Sequence, residues 1–73
     1  MPQHQRMKDI DKLTPREREV LKLLAGGDAS KVIADKLGIS ENTVEVHRKN
    51  IYGKMGVHSA AQAVLAAVRM LIL

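Results

Sequence analysis

From residue 13 onward the chain alternates short apolar clusters with glycine breaks. Val20, Leu21, Leu23 and Leu24 recur at helical spacing and stop at Gly26-Gly27; Val32, Ile33 and Leu37, with small Ala34 between them, stop at Gly38. Val44, Ile51 and Met55 recur seven and four residues apart and stop at Gly56, and Val64, Leu65, Val68, Leu71 and Ile72 form the last apolar run. Apolar residues at these intervals mark one buried face per helix. The pattern predicts an all-α fold, a compact four-helix bundle.

Local capping signals sharpen the boundaries. Thr14, Pro15 and Glu17 read as N-cap, first helical residue and the closing member of a capping box. Ser40 is placed to cap the third helix, and Ser59 with Gln62 reads as a second capping box opening the fourth. The second helix is expected to begin between Asp28 and Ser30, with Ser30 also explained as a cap. The glycine pair Gly26-Gly27 is a helix stop with left-handed backbone, not a phosphate loop, since the lysine-serine ending of such a loop is missing. Residues 1–12 have no periodicity and carry Pro2, two glutamines, His4 and mixed charge, so they read as a flexible lead-in or linker remnant before a domain at 13–73.

Composition narrows the function. A chain of 73 residues holds one domain, and with no cysteine it has neither disulfides nor thiolate metal sites, so a cytoplasmic setting is expected. Tyr52 is the only aromatic residue, which disfavours single-stranded nucleic acids that stack on rings. Twelve Lys and Arg against eight Asp and Glu leave a net charge of +4, a balance that suits polyanionic partners. The apolar stretch at residues 60–73 is interrupted by Gln62 and Arg69 and is shorter than the roughly 20 residues a membrane span needs. No membrane segment or signal peptide is read.

Two short helices joined at Gly38, with Ala34 four residues before it and Ile39 and Val44 filling the angle, have the signature of a helix-turn-helix. The small side chain permits close approach, the glycine takes the turn backbone, and the third helix projects at a fixed angle. Its side opposite Val44 and Ile51 then offers Glu41, Asn42, Glu45, Val46, Arg48 and Lys49 to a major groove about 12 Å wide. A bland reading exists, because any compact helical domain needs glycines and small residues at its crossings. Charge does not decide between them: residues 29–58 hold Lys31, Lys36, Arg48, Lys49 and Lys54 against Asp35, Glu41 and Glu45, a net +2.

The opening Leu13-Thr14-Pro15-Arg16-Glu17-Arg18-Glu19-Val20-Leu21, the run Ile33-Ala34-Asp35-Lys36-Leu37-Gly38-Ile39-Ser40, then Thr43-Val44, His47, Ile51, Lys54 and Met55, together resemble the LuxR-type DNA-binding domain, the module also found in NarL- and FixJ-type response regulators. The resemblance covers residue 13 to about residue 71. It implies a third helix in the major groove, a fourth helix that makes a dimer contact, and two copies on paired half-sites. Carried over, the base-reading positions fall on Glu45, Val46 and Lys49, and the DNA-backbone positions on Lys31, Thr43, Arg48 and Lys54. Lys49 can donate to guanine, Val46 can pack on a thymine methyl, and Thr43 near the helix start can bond a phosphate. Glu45 departs from the basic residue many relatives carry; it is useful only by accepting from cytosine N4 or by pairing with Lys49 one turn on.

Other chemistries find no support. His47 and His58 stand eleven residues apart on different elements without ligand spacing, so no metal is expected; His47 is expected to be packed and bonded to Glu17 or Glu19. No acid pair or nucleophile setting appears, and neither cofactor nor small-molecule substrate is implied, so the domain is not an enzyme. Residues 63–73 contain a single charge, Arg69, which leaves an apolar face beyond one buried stripe. Val64, Ala67, Val68 and Leu71 are expected to meet a second copy, the alternative cover being a regulatory domain outside this chain. The expected function is sequence-specific binding of double-stranded DNA in transcription regulation, as the output domain of a two-component response regulator or a stand-alone regulator acting on RNA polymerase. The alternative is a helical protein-interaction module using the apolar fourth helix.

Overall fold

The structure, a computed structural model, describes residues 12–69. It contains four helices in chain order: α1 (Pro15–Ala25), α2 (Ser30–Leu37), α3 (Glu41–Met55) and α4 (Ala60–Arg69). The expected lead-in at residues 1–12 lies outside the described residues except for Lys12, whose carbonyl accepts a hydrogen bond from Lys54 Nζ at 3.2 Å. Leu71 and Ile72 also lie outside them.

The start of α1 follows its sequence signals. Thr14 Oγ1 accepts from the Glu17 N–H at 3.1 Å, and Glu17 Oε1 accepts in return from the Thr14 N–H at 2.9 Å, with Pro15 at the first helical position. At the other end Gly26 stays right-handed and Gly27 takes the positive φ of 95°. Between α2 and α3, Gly38 turns the chain at φ 68°, and the Ile39 N–H bonds back to the Ala34 carbonyl at 3.0 Å. Ser40 Oγ accepts from the Thr43 N–H at 3.0 Å and caps α3 as expected. The fourth helix opens differently from its prediction. Gln62 N–H does bond Ser59 Oγ at 3.2 Å, but the Gln62 side chain accepts from the His58 N–H, so the box reaches one residue further back than Ser59.

The core draws on all four helices. Val20 and Leu21 of α1, Ile33 and Ala34 of α2, Val44, Ile51 and Met55 of α3, and Ala63 and Ala67 of α4 are all buried, together with Leu13. Helices α1 and α3 each pack against the other three, whereas α2 and α4 do not touch. Burying each large aliphatic side chain contributes about 1.5–3 kcal/mol. Two expectations about faces change. Val32 is 41% exposed and Ile33 takes the interior position, because a helix of two turns has room for only one inward row. In α4 the interior row is Ala63 and Ala67, both fully buried, while Leu65 and Val68 are about half exposed at 52% and 54%. Alanines let α4 approach α1 and α3 closely. Ala67, expected at a dimer surface, is therefore consumed by the monomer core and is not available to a second copy.

Candidate nucleic-acid interface

At about 100° per residue, Val44, Ile51 and Met55 fall in one narrow sector of α3, and Asn42, Val46, Lys49, Asn50 and Gly53 centre on the opposite side. Burial agrees with the wheel: the first three are buried and the other five are exposed. Val46 keeps 57% of its surface exposed. Lys49 beside it makes no ion pair among the described residues. Asn50 and Gly53 extend the face one turn beyond what the sequence reading assigned; helical spacing from Val46 and Lys49 is the signal that places them there.

The flanks of α3 are occupied by bonds to its neighbours. On the side toward α2, Arg48 Nη1 donates to Ser30 Oγ at 2.7 Å and Nε donates to Tyr52 Oη at 3.0 Å, with the guanidinium 5.8 Å from the Tyr52 ring centroid. Ser30 Oγ donates to Glu45 Oε2, which also lies 3.4 Å from Arg48 Nη1. Ser30 is thus the first residue of α2 and not its cap; Ala29 holds the cap position with no side-chain bond. Glu45 pairs with Arg48 at i+3 and not with Lys49 at i+4, because its carboxylate turns toward the α2 start. The arginine–tyrosine spacing was readable one turn apart, whereas the serine fifteen and eighteen residues away was not.

On the side toward α1, Lys54 Nζ donates to Glu17 Oε1 at 2.7 Å. Glu17 is buried, at 4% exposure, and Lys54 is its ion-pair partner from across the domain. Burial alone would push this carboxyl up. The hydrogen bond from Lys54, the Thr14 N–H, the Lys54 charge and the Thr14 hydroxyl outweigh burial and hold it below the usual glutamate range. This bond corrects one expectation. Glu17 does not pair with His47, which is half-buried without a hydrogen bond to either glutamate, and Glu19 lies 4.0 Å from Arg16 instead. Lys54, expected on a DNA phosphate, forms this α1–α3 link while keeping 32% of its side-chain surface exposed.

The remaining expected phosphate contacts differ in availability. Lys31, on the first turn of α2, is exposed and has no acidic partner among the described residues, unlike Lys36, which binds Asp28 at 2.7 Å. Thr43 is exposed near the start of α3, its hydroxyl 2.9 Å from Ser40 Oγ. Arg48 keeps 26% of its side-chain surface. Exposed cations, a hydroxyl at a helix start and an open reading face can together grip a phosphate backbone and contact base edges. Among the described residues no group of three or more His, Cys, Asp or Glu could hold a metal, and no helix is long and apolar enough to cross a membrane.

Comparison with known proteins agrees with this geometry. The model of the family described as bacterial regulatory proteins, luxR family, matches residues 11–67. The chain is 48% identical over 56 residues to the nitrate/nitrite response regulator protein NarL of Escherichia coli (strain K12), covering 77% of this chain and 26% of that protein. It is 51% identical over 55 residues to the probable transcriptional regulatory protein SgaR of Hyphomicrobium methylovorum, covering 75% of this chain and 26% of the relative. To the spore germination protein GerE of Bacillus subtilis (strain 168) it is 48% identical over 58 residues, covering 80% of this chain and 78% of that protein. The chain therefore spans about a quarter of the first two relatives and most of the third. A helix-turn-helix with an open third-helix face, matched by this family over most of its length, leaves one conclusion: the chain belongs to the luxR family of bacterial regulatory proteins, as an all-α DNA-binding domain of transcription regulation.

Proposed function

We propose that this domain binds double-stranded DNA sequence-specifically, inserting α3 into the major groove, with two copies on paired half-sites. The observation that carries the reading is the exposed face of α3, where Val46 and Lys49 stand opposite the buried Val44, Ile51 and Met55. A lysine free of acidic partners suits guanine O6 and N7, and an exposed valine suits a thymine methyl. Lys31, Thr43 and Arg48 are proposed to hold the sugar-phosphate backbone and to supply most of the affinity.

The dimer contact is proposed on α4. Helical spacing groups Val64, Leu65 and Val68 on the side away from Ala63 and Ala67, and the exposure of Leu65 and Val68 supports a surface that a two-fold partner covers. Leu71 lies outside the described residues. Because relatives such as NarL are response regulators, the domain is proposed to serve as the output element of such a protein, or as a small regulator like GerE, working in the cytoplasm by recruiting or blocking RNA polymerase.

The test is fluorescence anisotropy with duplexes selected from a genomic library, over a salt series. The wild type should bind with a slope near −0.9 per neutralised phosphate, and Lys49→Ala should cost about 1–3 kcal/mol on the selected site and less on random DNA. If no duplex binds at low salt, even at protein concentrations high enough for pairing, the DNA-reading function falls and a protein partner for α4 becomes the better account.

A further inference from the structure

Ser30, Glu45 and Tyr52 surround Arg48, the proposed backbone contact, in a four-residue cluster that joins the start of α2 to α3. An arginine has five N–H donors. In Arg48 three of them are used inside the protein: Nε on Tyr52 Oη, and the two on Nη1 facing Ser30 Oγ and Glu45 Oε2. The Nη2 pair has no partner among the described residues, and the side chain remains 26% exposed. Glu45 Oε2 is in turn the acceptor for the Ser30 hydroxyl. Turning this carboxylate toward a cytosine would strip an acceptor from both Ser30 and Arg48.

We infer that Glu45 is a positioning residue and not a base reader: with Ser30 and Tyr52 it holds the Arg48 guanidinium so that its Nη2 donors serve a DNA phosphate, while its own negative charge restrains affinity for DNA of any sequence. The inference rests on the DNA-reading function proposed above. A guanidinium already fixed by a hydroxyl, a phenol and a carboxylate loses little further freedom on meeting a phosphate, and each N–H left on Nη2 can donate a charge-assisted hydrogen bond to a phosphate oxygen. The carboxylate that orients Arg48 also cancels part of the charge it brings. Contact to the backbone is thereby kept, and indiscriminate attraction to every phosphate is reduced.

The experiment compares wild type, Glu45→Gln, Tyr52→Phe, Arg48→Ala and the double variant Tyr52→Phe/Arg48→Ala. Anisotropy is read on a duplex selected from a randomised library and on a random duplex of equal length, over a potassium chloride series, with circular dichroism to check the fold. Glutamine keeps an oxygen for Arg48 and Ser30 and removes the charge. Glu45→Gln is expected to tighten binding to both duplexes by a similar factor and to steepen the salt slope by up to about 0.9. It should leave the preferred base at every position unchanged. Tyr52→Phe is expected to weaken both duplexes by about threefold to tenfold, as for loss of one hydrogen bond to a charged group near the surface. That loss should vanish when Arg48 is already alanine, an outcome a general packing defect does not produce. A changed base preference in Glu45→Gln makes Glu45 a base reader and overturns the inference, as does a Tyr52→Phe cost that persists without Arg48. Failure of the wild type to bind any duplex removes the underlying DNA-reading function as well, and is recognised by wild type and variants being equally silent.

Discussion

Replacing Lys54 with methionine isolates the Glu17 link while keeping most of the aliphatic stem that lies along the protein. The Glu17 side chain has 5% of its surface exposed and its Oε1 is shared between the Lys54 ammonium at 2.7 Å and the Thr14 N–H at 2.9 Å. Breaking a fully buried ion pair costs about 3–5 kcal/mol. Lys54 keeps 32% of its surface, so water reaches this pair, and the Thr14 cap survives the substitution. The expected loss is therefore smaller, about 2 kcal/mol. A domain of this size has a total stability of about 4–11 kcal/mol, and the midpoint of thermal unfolding should fall by about 8–16 °C at neutral pH. The pH dependence identifies the cause. Because the folded Glu17 carboxyl is held below its ordinary value, its contribution is fully present above the unfolded value of about 4.3 and is lost as the pH falls through the lowered folded one. Methionine leaves the burial penalty without the lysine that opposes it. The difference between wild type and Lys54→Met should thus be largest near neutrality and close toward acid, as read by urea melts followed by circular dichroism at a series of pH values. An unchanged midpoint at neutral pH, or a difference that is the same at pH about 3 as at pH about 7, refutes the ion pair as a stabilising link.

Four further outcomes are expected. Gly38→Ala meets no atom within 4 Å of its new Cβ, yet φ there is 68°, so it should lose about 1–2 kcal/mol through the backbone alone and Gly38→Asn less, as calorimetry can check. Gly53→Ala, in right-handed helix with equally open space, should gain about 0.5–1 kcal/mol; a melting point that fails to rise contradicts the open, regular backbone assigned to it. Leu65→Asp with Val68→Asp should abolish self-association in sedimentation and weaken binding to paired half-sites while sparing a single half-site, whereas Ala67→Leu should lower stability by about 1–3 kcal/mol through overpacking.

Features set by neighbours along the chain could be read before the fold was known. Thr14 and Glu17 are three residues apart, Gly38 follows its helix directly, and Val44, Ile51 and Met55 repeat on one face, so cap, turn and inner row all follow from local spacing. Contacts between distant residues could not. Lys54 meets Glu17 across 37 positions and Arg48 meets Ser30 across 18, and only the packing of α3 against α1 and α2 brings them together. Apolarity on more than one side also hid the orientation of α4: Val64 with Val68 and Ala63 with Ala67 both read as apolar rows, and the one that faces inward is the row of alanines small enough for close approach. Val32 and Ile33 pose the same difficulty in a helix too short for periodicity to choose between them.

The third helix is at once packed against every other helix and turned to the outside. Its inner row fixes it against the other three helices, so it has no independent swing. Asn42, Val46, Lys49, Asn50 and Gly53 nevertheless stand clear of that row and could be exchanged at little cost in stability. A domain built this way can acquire a new target by altering a handful of surface letters on an unmoving rod, and the same scaffold becomes a chassis for many operators.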